Sequence, residues 1–370
     1  MATRAEEAAS RARGASLGFW QSLAGEVAVY VAAIAVALLL IAFILLLVGS
    51  NPLVAYGTIL GSSLGSLGGI GQTLNKASPL ILGALAVAFA MRGGFLNVGV
   101  DGQIYLGAIC ATGLAFALGS AVPAAVALPL LLLAGVVGGA LAALPAALFR
   151  AWWGVNEIFV TVMLNFVFYN LADYLATGPW NDPMAGEAIS RSIPRAAQLP
   201  PLLPTAGAHP GILFALAVAG LLAAVLGRTQ LGYAIRAVGD NPAAARVGGI
   251  AIAQVALVAL LISGAIGGLA GAIEVSGYHQ RLILGLSPGY GYMAILLAVL
   301  GKQRPWGVVV AAFAFAALVV GSDSLQRSVR LPQSAVLVFQ AIILLTVLFA
   351  EALRAGGVGR PFRALWRGTL

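Results

Sequence analysis

Charge is what this sequence has least of. Only 9% of its 370 residues are Asp, Glu, Lys or Arg, against about 25% in a soluble globular domain, and 61% are hydrophobic. That balance excludes a soluble enzyme or binding module and implies an integral membrane protein. A single cysteine, Cys110, lies inside an apolar run, so no disulfide can form within the chain. The two histidines, His209 and His279, lack ligand spacing, and no Cys/His cluster suggests a metal. No Ser/His/Asp or Cys/His set points to nucleophilic catalysis. A phosphate-binding loop is also missing, because Gly301-Lys302 has neither the upstream glycine at the required spacing nor a following Ser or Thr. The net charge of +8 indicates basic cytoplasmic loops rather than a nucleic-acid partner.

What is present is a series of apolar runs. Cut at charges, prolines and glycine clusters, they predict about ten spans at 27–48, 77–91, 103–121, 124–149, 155–176, 211–227, 251–275, 289–300, 306–321 and 332–353. The expected fold is therefore an all-α polytopic membrane protein. The first run is too long for a signal-peptide core and is read as an uncleaved span. Residues 104–149 carry no charge, so they form two spans with "GSAVP" (119–123) as the turn. Runs 77–91 and 289–300 fall short of the ~20 residues that cross a bilayer and are expected to be broken or re-entrant helices. "GSSLGSLGGIG" (61–71) suggests a further half-span. Gly135/Gly139, Gly264/Gly268 and Gly267/Gly271 are small-residue pairs that let helices approach closely.

Lys and Arg set the orientation. With the N-terminus cytoplasmic, fourteen fall inside and six outside. This predicts a cytoplasmic segment 1–26, a permease domain 27–353 and a basic cytoplasmic tail 354–370. It also gives an external loop 177–210 with seven prolines and a cytoplasmic loop 228–250.

Polar residues inside spans need a reason. Glu157, Thr161 and Asn165 recur every four residues and share one helix face. They are either hydrogen-bonding glue or the lining of a solute pathway. In "MRGGFLNVGVDGQIYLGA", Asn97, Asp101 and Gln103 surround a glycine break. Asp101 either caps the helix it begins, serves the pathway, or couples a proton or ion. The stretch 277–302 repeats the pattern of a Gly/Pro break followed by a short apolar helix. Two such breaks suggest an internal duplication around a central site.

Without a nucleotide site, active transport needs an ion gradient or a separate ATPase. The second option requires a docking element. In "LGYAIRAVGDNPAAARVGGI" (231–250), Asp240 or Asn241 can cap a helix, Pro242 suits its first turn, and Gly248-Gly249 suit its end. By this pattern it is either a docking helix or a self-capped connector.

That stretch, with "FLNVGVDGQIYLGA", "NEIFVTVMLNF" and "SPGYGYMAILLAVLGK", resembles the ABC importer permeases of the ribose/branched-chain-amino-acid type. "NPLVAYGTIL" and "ASPLILGALAVAFAMRGG" are similar to the nucleoside-uptake, or simple-sugar, branch. The resemblance covers roughly residues 50–350 and implies a transport subunit that is not itself an enzyme. Its implied partners are ABC ATPase subunits that bind ATP and Mg, a second and shorter permease paralogue, and a substrate-binding protein or lipoprotein. Matched motif to motif, Gly239, Asp240, Asn241, Pro242, Ala245 and Gly248 couple to the ATPase. The pathway residues are Asn97, Asp101, Gln103, Glu157, Thr161, Asn165, Ser287, Tyr290 and Tyr292, with Pro288, Gly289 and Gly291 in the same break. Asp101 stands where many relatives carry Glu, which keeps the acid and shortens its reach. The expected function is nucleoside import across a bacterial inner membrane, with a pentose-type sugar permease or an ion-coupled transporter as alternatives.

Overall fold

The computed structural model describes residues 28–186, 189–329 and 333–354. The expected segment 1–26, nearly all of the basic tail and Arg330 lie outside the described residues. Helices α1 (Ala28–Leu47), α3 (Leu67–Arg92), α4 (Val100–Leu118), α5 (Ala124–Trp153), α6 (Glu157–Thr177), α7 (Gly211–Arg228), α10 (Ile252–Ile273) and α12 (Pro305–Val329) are each long and apolar enough to cross a membrane. Two shorter apolar helices, α11 (Tyr290–Leu300) and the Leu337–Leu353 part of α13 (Gln333–Arg354), bring the described total to the ten expected. Between them lie α2 (Pro52–Ser63), α8 (Gln230–Asp240) and α9 (Pro242–Val247).

The chain forms two compact units. In one, the described residues before Thr58 join those after Ser324. Ala33, Ala37, Ile41 and Leu45 are buried at four-residue spacing and form one face of α1, while Leu39, Leu46 and Leu47 point outward. Tyr30 donates from its hydroxyl to Glu351 at 2.6 Å, tying α1 to α13.

The second unit, Thr58–Ser324, is built around α10. Its glycines work as expected: backbones touch where side chains would not fit. A Cβ on Gly139 would lie 2.1 Å from the Gly264 carbonyl, one on Gly268 2.1 Å from the Gly135 carbonyl, and one on Gly271 1.9 Å from the Ile104 carbonyl. Helices α4, α5 and α10 therefore cross at backbone contact. The turn between α4 and α5 falls at 119–123, as its composition indicates.

Two expectations are corrected. Run 77–91 is the end of a continuous 26-residue helix, α3, that passes through Pro79. Cutting at Lys76 hid its first half, because Thr73, Asn75 and Lys76 lower the local hydropathy. Each has a buried or half-buried partner: Thr73 donates to the Ser63 carbonyl, Asn75 to the Gly207 carbonyl and Lys76 to the Tyr290 hydroxyl, at 2.9–3.0 Å. Residues 61–71 are accordingly no half-span. They hold the end of α2, a turn closed by Ser66, whose Oγ accepts the Gly69 amide, and the start of α3. The 289–300 run is short, as expected, and α11 spans 11 residues.

Candidate functional site

Two interruptions define the site. In the first, α3 stops at Gly93, Gly94 takes a positive φ of 79°, and residues 95–98 are irregular before Gly99 caps α4. Buried backbone must be satisfied by something, and the polar stripe of α6 does this. Glu157 Oε1 accepts the Leu96 amide at 3.1 Å, Asn165 Oδ1 accepts the Gly102 amide at 2.8 Å, and Asn165 Nδ2 donates to the Val98 carbonyl at 3.0 Å. A Cβ on Gly99 would lie 2.9 Å from Thr161 Cβ, so the break rests on the stripe. Arg150 neutralises Glu157 at 3.3 Å.

Asn97 closes the same break from within. Its Nδ2 donates to Gln103 Oε1 at 2.9 Å and Ser263 Oγ at 2.8 Å, while its Oδ1 accepts from the Gly99 amide and Gln103 Nε2. All these side chains are buried. Of the two readings of the stripe, hydrogen-bonding glue describes these contacts: the polar groups are spent on backbone and on one another.

The second interruption follows α10. That helix widens at Glu274–His279 into a turn with i to i+5 bonds, a form that recurs at functional sites. An irregular segment then leads to α11. Here Asp101 meets the break. Its Oδ1 accepts from Ser287 Oγ at 2.5 Å and from the Gly291 amide at 3.0 Å. Ser287 Oγ also accepts the Tyr290 amide at 3.2 Å, and Tyr105 donates from its hydroxyl to the Ser287 carbonyl at 3.4 Å. Tyr292 receives a long 3.5 Å bond from Asn165 Nδ2. Asp101 thus stands in the first turn of α4 and also caps α11, while Asn165 on α6 accepts the Gly102 amide of α4. The acid sits between two helix N-termini, whose positive dipole ends both favour its charge.

The third feature is the α8–α9 corner. Thr229 Oγ1 accepts the Gly232 amide to start α8, and Asn241 Oδ1 accepts the Ala244 amide at 3.1 Å to start α9. Of the two expected caps Asn241 serves, while Asp240 ends the preceding helix. Gly248 closes α9, with Gly249 at φ 80° after it. Ala245 is buried, whereas Val247 is 91% exposed. Gly239 lies against the end of α3, where a Cβ would be 2.1 Å from the Arg92 carbonyl. The corner therefore bears directly on the residue that precedes the first break.

Sequence reading missed a fourth cluster. Glu274, at the end of a predicted span, is 1% exposed and lies 3.2 Å from His279. Lys76 donates to Tyr290 and sits 4.8 Å from the ring centroid of Tyr278. A lone acid inside an apolar run was the available signal. The proline-rich loop lies on this turn: Leu199 donates its amide to the Ser276 carbonyl, Ile193 to Gln280 and Ser190 to Leu282, at 2.8–2.9 Å.

A bundle of apolar helices, two of them interrupted and meeting at a shared acid, is the architecture of a multi-pass membrane transport protein. The chain belongs to the branched-chain amino acid transport system / permease component family, whose profile matches residues 69–348. It is 36% identical to the glucose ABC transporter permease of Haloferax volcanii over 84% of each chain. It is 30% identical to the guanosine ABC transporter permease NupP of Bacillus subtilis, over 85% of this chain and 90% of the relative. Identity to the nucleoside ABC transporter permease NupB of Lactococcus lactis is also 30%, over 86% and 90%. No solved structure matches. The chain is an ABC transporter permease.

Proposed function

We propose that this permease carries nucleosides inward and is driven by a separate ATPase that docks on α9. The carrying observation is the seat of Gly239 on the Arg92 carbonyl. A push on the exposed α9 has a direct backbone route to the 93–99 break, and from there to Asn97, Asp101 and Asn165. Family membership favours this over the ion-coupled alternative. In this reading ATP and Mg bind the partner, and the α8–α9 side and both termini are cytoplasmic. Gly239, Asp240, Asn241, Pro242, Ala245 and Gly248 form the coupling corner. Asn97, Gln103, Glu157, Thr161 and Asn165 hold the pathway wall in shape, while Asp101, Ser287, Tyr290 and Tyr292 stand at its central constriction. A second permease subunit completes the pathway, and a substrate-binding protein lands on the 177–210 loop, which is bonded to the turn after α10.

The nucleoside assignment is supported by the guanosine and nucleoside permeases, each matched over nine-tenths of its length. A sugar is the second reading, favoured by the 36% identity to a glucose permease. Guanosine and glucose share adjacent hydroxyl groups. The test is reconstitution of the complete complex in vesicles with ATP enclosed. Guanosine uptake that stops when ATP is withheld supports the proposal. ATP-dependent uptake of glucose without guanosine supports the sugar reading, and uptake without ATP overturns the coupling.

A further inference from the structure

The wide turn at the end of α10 does something an α-helix cannot. Residues five apart on an α-helix lie about 140° around the axis from one another. The i to i+5 bonding of Glu274–His279 brings them onto one side, so that Glu274 Oε2 and His279 Nε2 stand 3.2 Å apart. At that distance they are an ion pair when His279 carries its second proton, and neither atom has a hydrogen-bond partner elsewhere. His209 lies against the same turn: a Cβ on Gly277 would be 2.8 Å from its ring. Its Nδ1 accepts the Gly211 amide at 3.0 Å, so in the neutral ring the proton is on Nε2. That buried Nε2 also lacks a partner. Four buried side-chain nitrogen or oxygen atoms among the described residues have no hydrogen bond, and three of them belong to this turn and the histidine against it. A buried polar group without a partner costs stability; Glu274 and His279 have only each other and His209 Nε2 has none, so the cluster keeps hydrogen-bonding capacity for a ligand.

The chemistry of the set selects the ligand. Glu274 offers an acceptor, His209 a donor, and Lys76 a charged donor held by the Tyr290 hydroxyl at 3.0 Å. The carboxylate and ammonium balance, so a cationic solute would meet Lys76 and an anionic one Glu274. A neutral hydroxyl group both donates and accepts, and two adjacent ones can engage an acid and a base together. Among the described residues no three His, Cys, Asp or Glu side chains are placed to hold a metal. Tyr278, partly exposed beside Lys76, offers a ring face for the apolar side of a sugar or base.

We propose that Lys76, Glu274 and His279, with His209 against the turn and Tyr290 beside it, form a solute station that binds adjacent hydroxyl groups. The station rests on the reading that the solute is a nucleoside or sugar. Its location fits a checkpoint. The proline-rich loop bonds to the turn at Ser276 and Gln280. On the other side, the Tyr290 amide donates to Ser287, the partner of Asp101. A solute seated here touches both the outer loop and the central constriction.

The test is uptake by the complete transporter in vesicles, at solute concentrations that saturate the binding protein, for guanosine and for 2′,3′-dideoxyguanosine. Glucose and 2,3-dideoxyglucose are run in parallel. Wild type and Glu274→Gln share every other component, so a change in the ratio within a pair belongs to the permease. The expected result is that Glu274→Gln lowers uptake of the hydroxylated member roughly tenfold or more and leaves the dideoxy member unchanged. Lys76→Met should collapse the ratio in the same way. An unchanged ratio overturns the station, whether both members fall together, as in misfolding, or neither falls. If wild type carries glucose and not guanosine, the nucleoside reading fails and the glucose pair decides the station by the same criterion. If it carries neither, both fail.

Discussion

Asp101, in the first turn of α4, accepts the backbone amide of Gly291, in the first turn of α11, at 3.0 Å. One acid from the first interruption therefore closes the second, and the two breaks cannot move independently while this bond stands. The contact is close enough to be tested sterically. A Cβ on Gly291 would lie 2.4 Å from the Asp101 amide nitrogen, with backbone rather than a flexible side chain in its way. Gly291→Ala is expected to lower stability by about 2–3 kcal/mol and to abolish uptake. Gly61→Ala, where a Cβ meets nothing within 4 Å, should be neutral or stabilising by up to ~1 kcal/mol. Thermal melting of the two purified variants checks the contrast, and equal melting temperatures would show that the helices separate easily at Gly291.

Asn165 gives a second prediction. Its amide serves the Gly102 amide and the Val98 carbonyl, and Asn165→Leu leaves both buried groups unpaired. Each costs about 1–3 kcal/mol, so this variant should melt at a lower temperature as well as transport less. Wild-type melting with reduced uptake would instead mark Asn165 as a solute contact.

How much of this was legible in the sequence depends on the range of the interactions. The spacing of Glu157, Thr161 and Asn165 was enough to place them on one face, because helix periodicity is local. What that face meets is set by a loop some sixty residues earlier, and no local pattern encodes it. Glycine pairs announced close crossings, and Asn241 and Pro242 announced α9. Helix α3 was misjudged because a hydropathy cut treats Lys76 as a boundary, whereas its partner Tyr290, 214 positions away, allows the charge inside the bundle. Glu274 escaped for the same reason: its value lies in the turn it stands on, which breaks the α-helical period used to read the run.

His209 supplies a pH prediction. Burial holds its imidazole below the ordinary 6.5, against an opposing pull from Glu274. A group whose folded-state proton affinity is depressed binds more protons when unfolded, so folding favours its neutral form. Its contribution is fully present above about pH 6.5 and is lost as the pH falls from there towards the lower folded value. The melting temperature of the wild type should drop between about pH 7.5 and 5.5, and His209→Gln should flatten that part of the drop. Parallel curves for the two proteins would show that His209 can charge in place.

The coupling corner gives the most direct test of the proposed mechanism. Val247 is 91% exposed, so Val247→Asp should fold and insert like the wild type, since exposed substitutions usually change stability by less than about 0.5 kcal/mol. If α9 occupies a groove on the ATPase, the new carboxylate is buried there without a partner. Solute-stimulated ATP hydrolysis should then fall at least about tenfold, from a desolvation cost of a few kcal/mol. Asn241→Ala removes the cap on Ala244 and should cost about 1 kcal/mol, with a partial loss of stimulation. The measurement is ATPase activity of the complete complex in lipid, set against the amount of assembled complex. Full stimulation in Val247→Asp would show that α9 does not enter the ATPase and would leave it as a self-capped connector between α8 and α10.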